Sequence, residues 1–260
     1  MIIATWNINS IRQRLDHLTG YLRDIGPDVL CLQEIKCQDK DFPLQAIEDC
    51  GYSAAVHGQK TFNGVAILSK TPLEDVQAGL PGDDSDEQAR YLEASVRAGE
   101  RMVRVASIYL PNGNPPDTDK YAYKLAWMDR LIAHASELLR QEQIFVLAGD
   151  YNVIPEDRDA RNPEEWAGDA LHLPKTLAQF ARLKNLGLTD ALRASTDDGG
   201  LYTFWDYQAG AWQKNNGIRI DHHLLSPQAA DRLVSVIIDK QMRAAEKPSD
   251  HVPIRVVLDL

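Results

Sequence analysis

The sequence predicts an α/β protein made of two packed β-sheets with helices on their outer faces, and three observations lead to that class. Helical and strand-like patterns alternate near both ends of the chain, strands follow one another without intervening helices through the middle, and 44% of residues are hydrophobic. A simple doubly wound parallel sheet needs a helix between successive strands, so the consecutive middle strands favour two sheets instead. The hydrophobic share allows a large buried core and argues against disorder.

The elements follow in order. Met1-Ile2-Ile3-Ala4-Thr5 opens directly into a strand-like run. Ser10 is placed to cap a helix in which Ile11, Leu15, Leu18 and Leu22 recur at helical spacing, ending near Gly26-Pro27. Residues 28–32 read as a buried strand that delivers Gln33 and Glu34 to its exit, and residues 65–68, 91–96 and 103–110 as further strands. A long helix is predicted over 118–140, with Tyr121, Leu125, Met128, Ile132 and Leu139 as its apolar face. Residues 144–148 form another strand, ending at Gly149-Asp150. A helix over 176–185 uses Leu177, Phe180 and Leu183, and strands follow at 220–225 and 233–238. Residues 164–173 carry no clear period and read as loop or short helix. Near the end of the sequence, Ser249-Asp250-His251-Val252-Pro253 introduces the alternating Val252, Ile254, Val256 and Leu258, a strand with one buried face. No linker or short repeat divides the chain, so residues 1–260 are expected to form one domain.

The formal charge of −10 argues against holding nucleic acid by bulk attraction, because neutralisation of phosphates by Lys and Arg supplies most nonspecific affinity. The excess is local. Asp83, Asp84, Asp86 and Glu87, beside Gly79, Pro81 and Gly82, read as a solvated acidic loop, and other carboxylates sit at strand ends where a bound cation would offset them. Cys31, Cys37 and Cys50 have no metal-ligand spacing and cannot all pair. With no secretory signal or membrane span in view, a cytoplasmic protein is expected.

Polar islands at strand ends carry the chemistry. Glu34 is the leading candidate for direct metal coordination, and an oxygen donor set without Cys or clustered His favours Mg²⁺ or Mn²⁺ over zinc. Asp150 and Asn152 share a face if the backbone stays extended, so one can accept a proton or orient water while the other donates to a phosphate; Gly-Asp-x-Asn is also ordinary turn chemistry. Asp221 is a candidate to hold the tautomer of His251, favouring an imidazolium that clamps a phosphate rather than a general base; the plain alternative is a surface His-Asp pair. His222 and His223 alternate across a strand, and neither needs a ligand role. His57 and Lys60 stand where they could meet a backbone phosphate, or belong to a solvated loop. In Tyr202-Thr203-Phe204-Trp205-Asp206-Tyr207 one exposed ring could pack on a base or sugar; Trp205 is the better candidate and Phe204 reads as core.

Taken together, Trp6-Asn7-Ile8-Asn9, Leu32-Gln33-Glu34, Tyr109-Leu110-Pro111-Asn112-Gly113, Gly149-Asp150-Tyr151-Asn152, Asn216-Gly217-Ile218-Arg219-Ile220-Asp221 and Ser249-Asp250-His251-Val252-Pro253 resemble the exonuclease III family of abasic-site endonucleases. The resemblance runs from the first strand to the last. It implies a four-layer α/β sandwich with two packed mixed β-sheets, and Mg²⁺-dependent hydrolysis of the DNA phosphodiester 5′ to an abasic site, with 3′→5′ exonuclease and 3′-end trimming of unspecified strength. It further implies that Glu34 binds the metal with Asn7 and Asp250 as ligands or outer support, and that Asp150 orients or deprotonates water with Asn152 beside it. Tyr109 and His251, the latter aligned by Asp221, would contact the scissile phosphate, while Trp205 would pack against the extruded sugar; Asn112 and Lys60 are further candidates to meet DNA. The substrate would be double-stranded DNA with abasic sites, and a monomer without membrane attachment is expected. Two departures qualify the transfer: Asn9 stands where some relatives have an acid, and Ile218 where some have a second aromatic.

Two alternatives remain at this level. Another phosphodiesterase of the same superfamily, a deoxyribonuclease I-like nuclease or an inositol phosphatase, would share the Glu, Asp-x-Asn and Asp-His set, although Trp205 and Pro111-Asn112-Gly113 favour abasic DNA. A non-catalytic DNA-binding protein would be expected to have lost some of these polar residues. The residues alone leave open whether Asp150 or His251 accepts the proton.

Overall fold

A computed structural model describes residues 1–260. The chain runs β1 (Ile2–Asn7), α1 (Leu15–Asp24), β2 (Val29–Gln33), α2 (Leu44–Glu48), β3 (Ser53–His57), β4 (Val65–Ser69), β5 (Leu73–Ala78), β6 (Tyr91–Ala98) and β7 (Arg101–Tyr109). It continues with α3 (Asp119–Arg140), β8 (Ile144–Asp150), α4 (Pro174–Asn185), β9 (Thr189–Asp190), α5 (Ala191–Ser195), β10 (Asp221–Leu225), α6 (Pro227–Ala230), β11 (Leu233–Ile238) and β12 (Ile254–Leu258). No helix is long and apolar enough to cross a membrane.

The strands form two six-stranded sheets, ordered β11-β12-β1-β2-β4-β3 and β5-β6-β7-β8-β10-β9. Pairing is antiparallel except at the centre of each sheet, where β1 runs parallel to β2 and β7 parallel to β8. A parallel pair needs a crossover, and the connections carrying α1 and α3 provide it. The two-residue side-chain period of a strand then sorts the core. Ile3, Val29, Cys31 and Ile67 face Leu92, Val105 and Val146 in the layer between the sheets, while Ala4, Leu30, Leu32 and Leu68 face outward under Leu18 and Leu22 of α1. On the far side, Ala106, Ile108 and Leu147 meet Trp127, Met128 and Leu131 of α3 and Phe180 of α4. The result is the four-layer sandwich of two mixed sheets. Strands buried on both faces read as continuous apolar runs, which is why β2 and β4 stand out in the sequence.

Several local expectations change. Ser10 does not cap a helix: it has φ +85°, and α1 begins only at Leu15. The backbone of residues 8–11 is committed elsewhere, with the amides of Ile8, Ser10 and Ile11 donating to the carbonyls of Gln33, Glu34 and Ile35. The core face of α3 is rotated from the predicted one, centring on Trp127, Met128, Leu131, Ala135 and Leu138 and including a buried Lys124, with Tyr121, Leu125 and Leu139 at its flanks. The edge strand β5 and the short β3 were not predicted, because edge positions lack a strong apolar pattern. The acidic loop is not wholly solvated either, since Asp86 accepts from Arg130 at 2.7 Å and from the Tyr123 hydroxyl at 3.0 Å. Cys31 and Cys37 are buried and Cys50 half-buried, all as free thiols.

Candidate active site

The parallel strand pairs place four strand exits on one edge of the sandwich, and β10 and β12 start at the same edge. Asn7 is opposite Gln33, Tyr109 is opposite Asp150, and Asp150 is opposite Asp221. Ligand sites in α/β sheets form at such carboxyl ends, because the side chains there leave the core while the backbone is still held by the sheet. At Gly149 the backbones approach so closely that a Cβ would stand 2.0 Å from the Ile108 carbonyl oxygen.

Asn7 is fully buried and joins the sheets through one amide nitrogen, which donates to Glu34 Oε1 at 2.8 Å and to Asp150 Oδ2 at 2.9 Å. Its Oδ1 accepts from the Asn9 amide, so Asn7 supports the carboxylates from behind. Glu34 follows β2 with φ +50°. Its Oε1 also accepts from the Tyr109 hydroxyl at 2.9 Å and its Oε2 lies 2.8 Å from Lys36 Nζ. Burial raises the pKa of Glu34, but the Lys36 ammonium and the Asn7 amide outweigh it and hold the carboxyl below its ordinary value. Asp250 accepts from Asn9 at 3.0 Å.

Asp150 and Asn152 reach the site by a turn rather than by the extended backbone expected for a shared face. Asn152 has φ +48°, its amide donates to Asp150 Oδ1 at 2.9 Å, and Tyr151 between them points into the core against Phe180. The Asn152 side chain donates to the Leu110 carbonyl at 2.9 Å and accepts from Asn112 at 3.0 Å. His251 Nδ1 lies 2.9 Å from Asp221 Oδ2, and Nε2 lies 3.8 Å from Asp150 Oδ2. Burial disfavours the charged imidazole, yet the carboxylates of Asp221 and Asp150 overcome it, so His251 stays protonated well above the ordinary histidine range. Burial drives Asp150 the other way for an acid: despite the pull of His251, its pKa is raised. The remaining oxygen of Asp221, Oδ1, is buried without a partner.

One cavity of about 180 Å³ opens at this edge, with the buried Asn7 and Asp221 behind its lining. Glu34, Tyr109, Asn112, Asp150, Asn152, Asp250 and His251 form its polar wall. Trp166, Leu171, Phe204, Ile218 and Ile220 form the apolar one. A larger hollow of about 490 Å³ beside α3 contains Arg130 and His134, but these are already paired with Asp86 and Glu93.

Trp205 is the clear correction. It is 0% exposed, packs edge-on against Trp212 with centroids 5.1 Å apart, and donates to Asn215, so its ring cannot meet a substrate. Phe204, read from the sequence as core, lines the cavity with its ring centroid 5.0 Å from that of His251. Segment 202–207 is not a regular strand; isolated bridges of Phe204 to Ile218 and His251 set which ring faces out. Trp166 was missed because it lies in a short 3₁₀ turn, Pro163–Trp166, with no period to read; a tryptophan among turn-forming and acidic residues was the available signal. Lys60 is exposed on the β3–β4 loop and outside the cavity lining. His222 and His223 are both buried, and burial pulls their pKa values down to about 4 and about 3.

Asp150, Asp221 and His251 bring ligand atoms within 4.8 Å of one another, a grouping compatible with a cation. The imidazole there is committed to Asp221 through Nδ1, so the Glu34 side of the cavity, whose donors are oxygens only, fits a hard divalent ion better. The Lys36 ammonium already resting on Glu34 Oε2 indicates that positive charge is accommodated there.

The family description "endonuclease/exonuclease/phosphatase" matches residues 4–251. Exodeoxyribonuclease III of Haemophilus influenzae is 33% identical, covering 98% of this chain and 98% of its own length. Among solved structures, a 3′ phosphatase from Neisseria, bound to a product DNA hairpin, superposes with a TM-score of 0.96 at 38% identity over 100% of both chains. An AP endonuclease from Archaeoglobus fulgidus does so with a TM-score of 0.95 at 36% identity, again over 100% of both.

Proposed function

The chain belongs to the endonuclease/exonuclease/phosphatase family, and from that premise we propose that it is a DNA-repair phosphodiesterase that uses Mg²⁺ or Mn²⁺ to cut the backbone 5′ to abasic sites and to trim 3′ ends. The observation that carries this reading is the meeting of Glu34, Tyr109, Asp150, Asp250 and His251, from far-apart segments, in one cavity with an apolar wall.

Glu34 and Asp250 would hold the cation, with Asn7 fixing the Glu34 carboxylate. The ion supplies charge that polarises the phosphate and offsets the acids around it. Asp150 is the proton acceptor: burial raises its pKa toward the range where a general base works at neutral pH, whereas an imidazole already carrying both protons cannot take a third. As water attacks phosphorus, its proton passes to Asp150, the bond to the 3′ oxygen breaks, and that oxygen takes a proton from solvent water to leave as a hydroxyl. The His251 imidazolium, held by Asp221, and the Tyr109 hydroxyl donate to the phosphate oxygens where charge accumulates. Asn152 and Asn112, tied to each other, border the phosphate position.

At about 180 Å³ the cavity lies below the ~300–1,000 Å³ typical of drug-sized ligands. Walled by Phe204, Ile218, Leu171 and Trp166, it suits a sugar without its base. An abasic nucleotide lacks stacking and pairing, so extruding it costs less than flipping an intact one.

The test is to incubate the protein with Mg²⁺ and, in parallel, a duplex containing one tetrahydrofuran site, an intact duplex and an inositol polyphosphate. Cleavage should be fastest at the tetrahydrofuran site and stop on chelation. Preferential attack on intact DNA or on the inositol compound overturns the reading.

A further inference from the structure

Lys124 stands on the core face of α3, in line with Trp127, Met128 and Leu131, and is 0% exposed. Lysine is almost never fully buried unless paired, because removing an ammonium from water costs several kcal/mol. Here the ammonium donates to two backbone carbonyls, Asn112 O at 3.0 Å and Asn152 O at 2.6 Å, rather than to a carboxylate. Space is made for its stem: Gly113 has φ +87°, and a Cβ at that position would lie 2.7 Å from Lys124 Cδ.

The two carbonyls belong to the loops that leave β7 and β8. Their side chains are already bonded to each other, Asn152 also holds the Leu110 carbonyl, and the Asn152 amide donates to Asp150 Oδ1. Lys124 therefore closes the underside of the turn whose upper side is the polar wall of the cavity. We propose that Lys124 is a positioning residue for the reaction: its ammonium staples the Asn112 and Asn152 carbonyls together and so fixes the turn that aims Asp150 and Asn152 at the substrate. The proposal rests on the reading of this cavity as a phosphodiesterase site. A helix-docking role alone would need only the stem; the staple needs the donating nitrogen at its end, even though burial lowers the pKa of that amine to about 7.

The experiment compares the full-length wild type with Lys124→Met, which keeps an unbranched stem, and Lys124→Ala, on whichever DNA substrate the wild type cuts fastest. Misplacing a catalytic group by about 1 Å costs on the order of a hundredfold, so kcat should fall about that much in Lys124→Met while KM stays within about threefold. In Lys124→Ala, added propylamine should restore much of kcat and the neutral alcohol of matching length should not. A folded Lys124→Met with wild-type kcat overturns the proposal, as does equal rescue by the alcohol. A readout without turnover separates this from failure of the functional reading: in the wild type, the ¹⁵Nζ ammonium protons of Lys124 should exchange slowly with solvent. Fast exchange would sink the staple whether or not DNA is cut.

Discussion

Two clusters of buried charge flank the start of β10, only two residues apart in the chain, and they are built on opposite plans. Around Arg219, Nε and Nη2 meet Asp159 at 2.6 and 3.0 Å, Nη1 meets Asp190 at 3.0 Å, and Arg193 adds a second cation to Asp159. Burial opposes ionisation of both acids, yet the arginines prevail and hold Asp159 and Asp190 below their ordinary range. Around Asp221 there are two carboxylates, one imidazole and no arginine; one Asp221 oxygen is unpartnered and the pKa of Asp150 is raised. A balanced cluster has no proton left to move and serves to fix the chain. An unbalanced one raises an acid's affinity for a proton, which is costly at rest and suits a carboxylate that must take one from water.

That contrast can be broken at either end. Asp150→Asn should lower kcat by about 10²–10⁴-fold while leaving affinity for a tetrahydrofuran duplex within a few-fold, read by cleavage and by fluorescence anisotropy. An unaltered rate would remove Asp150 from the mechanism. Arg219→Met takes the arginine from Asp190 and leaves Asp159 with Arg193 alone, and should cost about 3–5 kcal/mol of stability in urea denaturation, with kcat of the folded fraction largely kept. A large kcat loss without destabilisation would mean that the balanced cluster takes part in the chemistry. Asp221→Asn sharpens the comparison through pH. A histidine whose folded pKa is raised keeps its proton until pH climbs through that value, so deleting the carboxylate should move the alkaline limb of the kcat profile down toward the ordinary histidine range. At pH 8 the loss should be about tenfold or more; an unmoved limb would show that His251 does not act as a cation. The smallest effects concern the aromatic wall. Phe204→Ala should raise KM for the abasic duplex about tenfold, and Trp205→Phe should change it by less than about twofold while lowering the melting temperature. The reverse order would return Trp205 to the substrate.

How much of this was readable follows from how each residue is held. Asn7, Tyr109, Asp150 and Asp221 end or begin strands with strong apolar patterns, and Glu34 and His251 stand just outside such strands, so each appears as a polar break beside a clear signal, and sheet pairing brings the breaks together. Phe204 and Trp166 sit in segments held by isolated bridges or a short 3₁₀ turn, where no period says which ring is outward. Lys124 was hidden for a different reason. Helical periodicity assigns a lysine to solvent, and only the tertiary positions of the Asn112 and Asn152 carbonyls reverse that assignment. The expectation for Ser10 failed because its amide was already committed to the Glu34 carbonyl, a contact between segments that local patterns do not contain.

The first strand lies in the middle of its sheet with the last strand as one neighbour, Ile2 opposite Val257. β1 is therefore paired on one edge only, with β2, until β12 has folded back beside it. The Ser249 hydroxyl also donates to the Asn7 carbonyl, so the docking of β12 carries Asp250 and His251 to their place, and a chain clipped before that strand would lose the closing wall of the cavity.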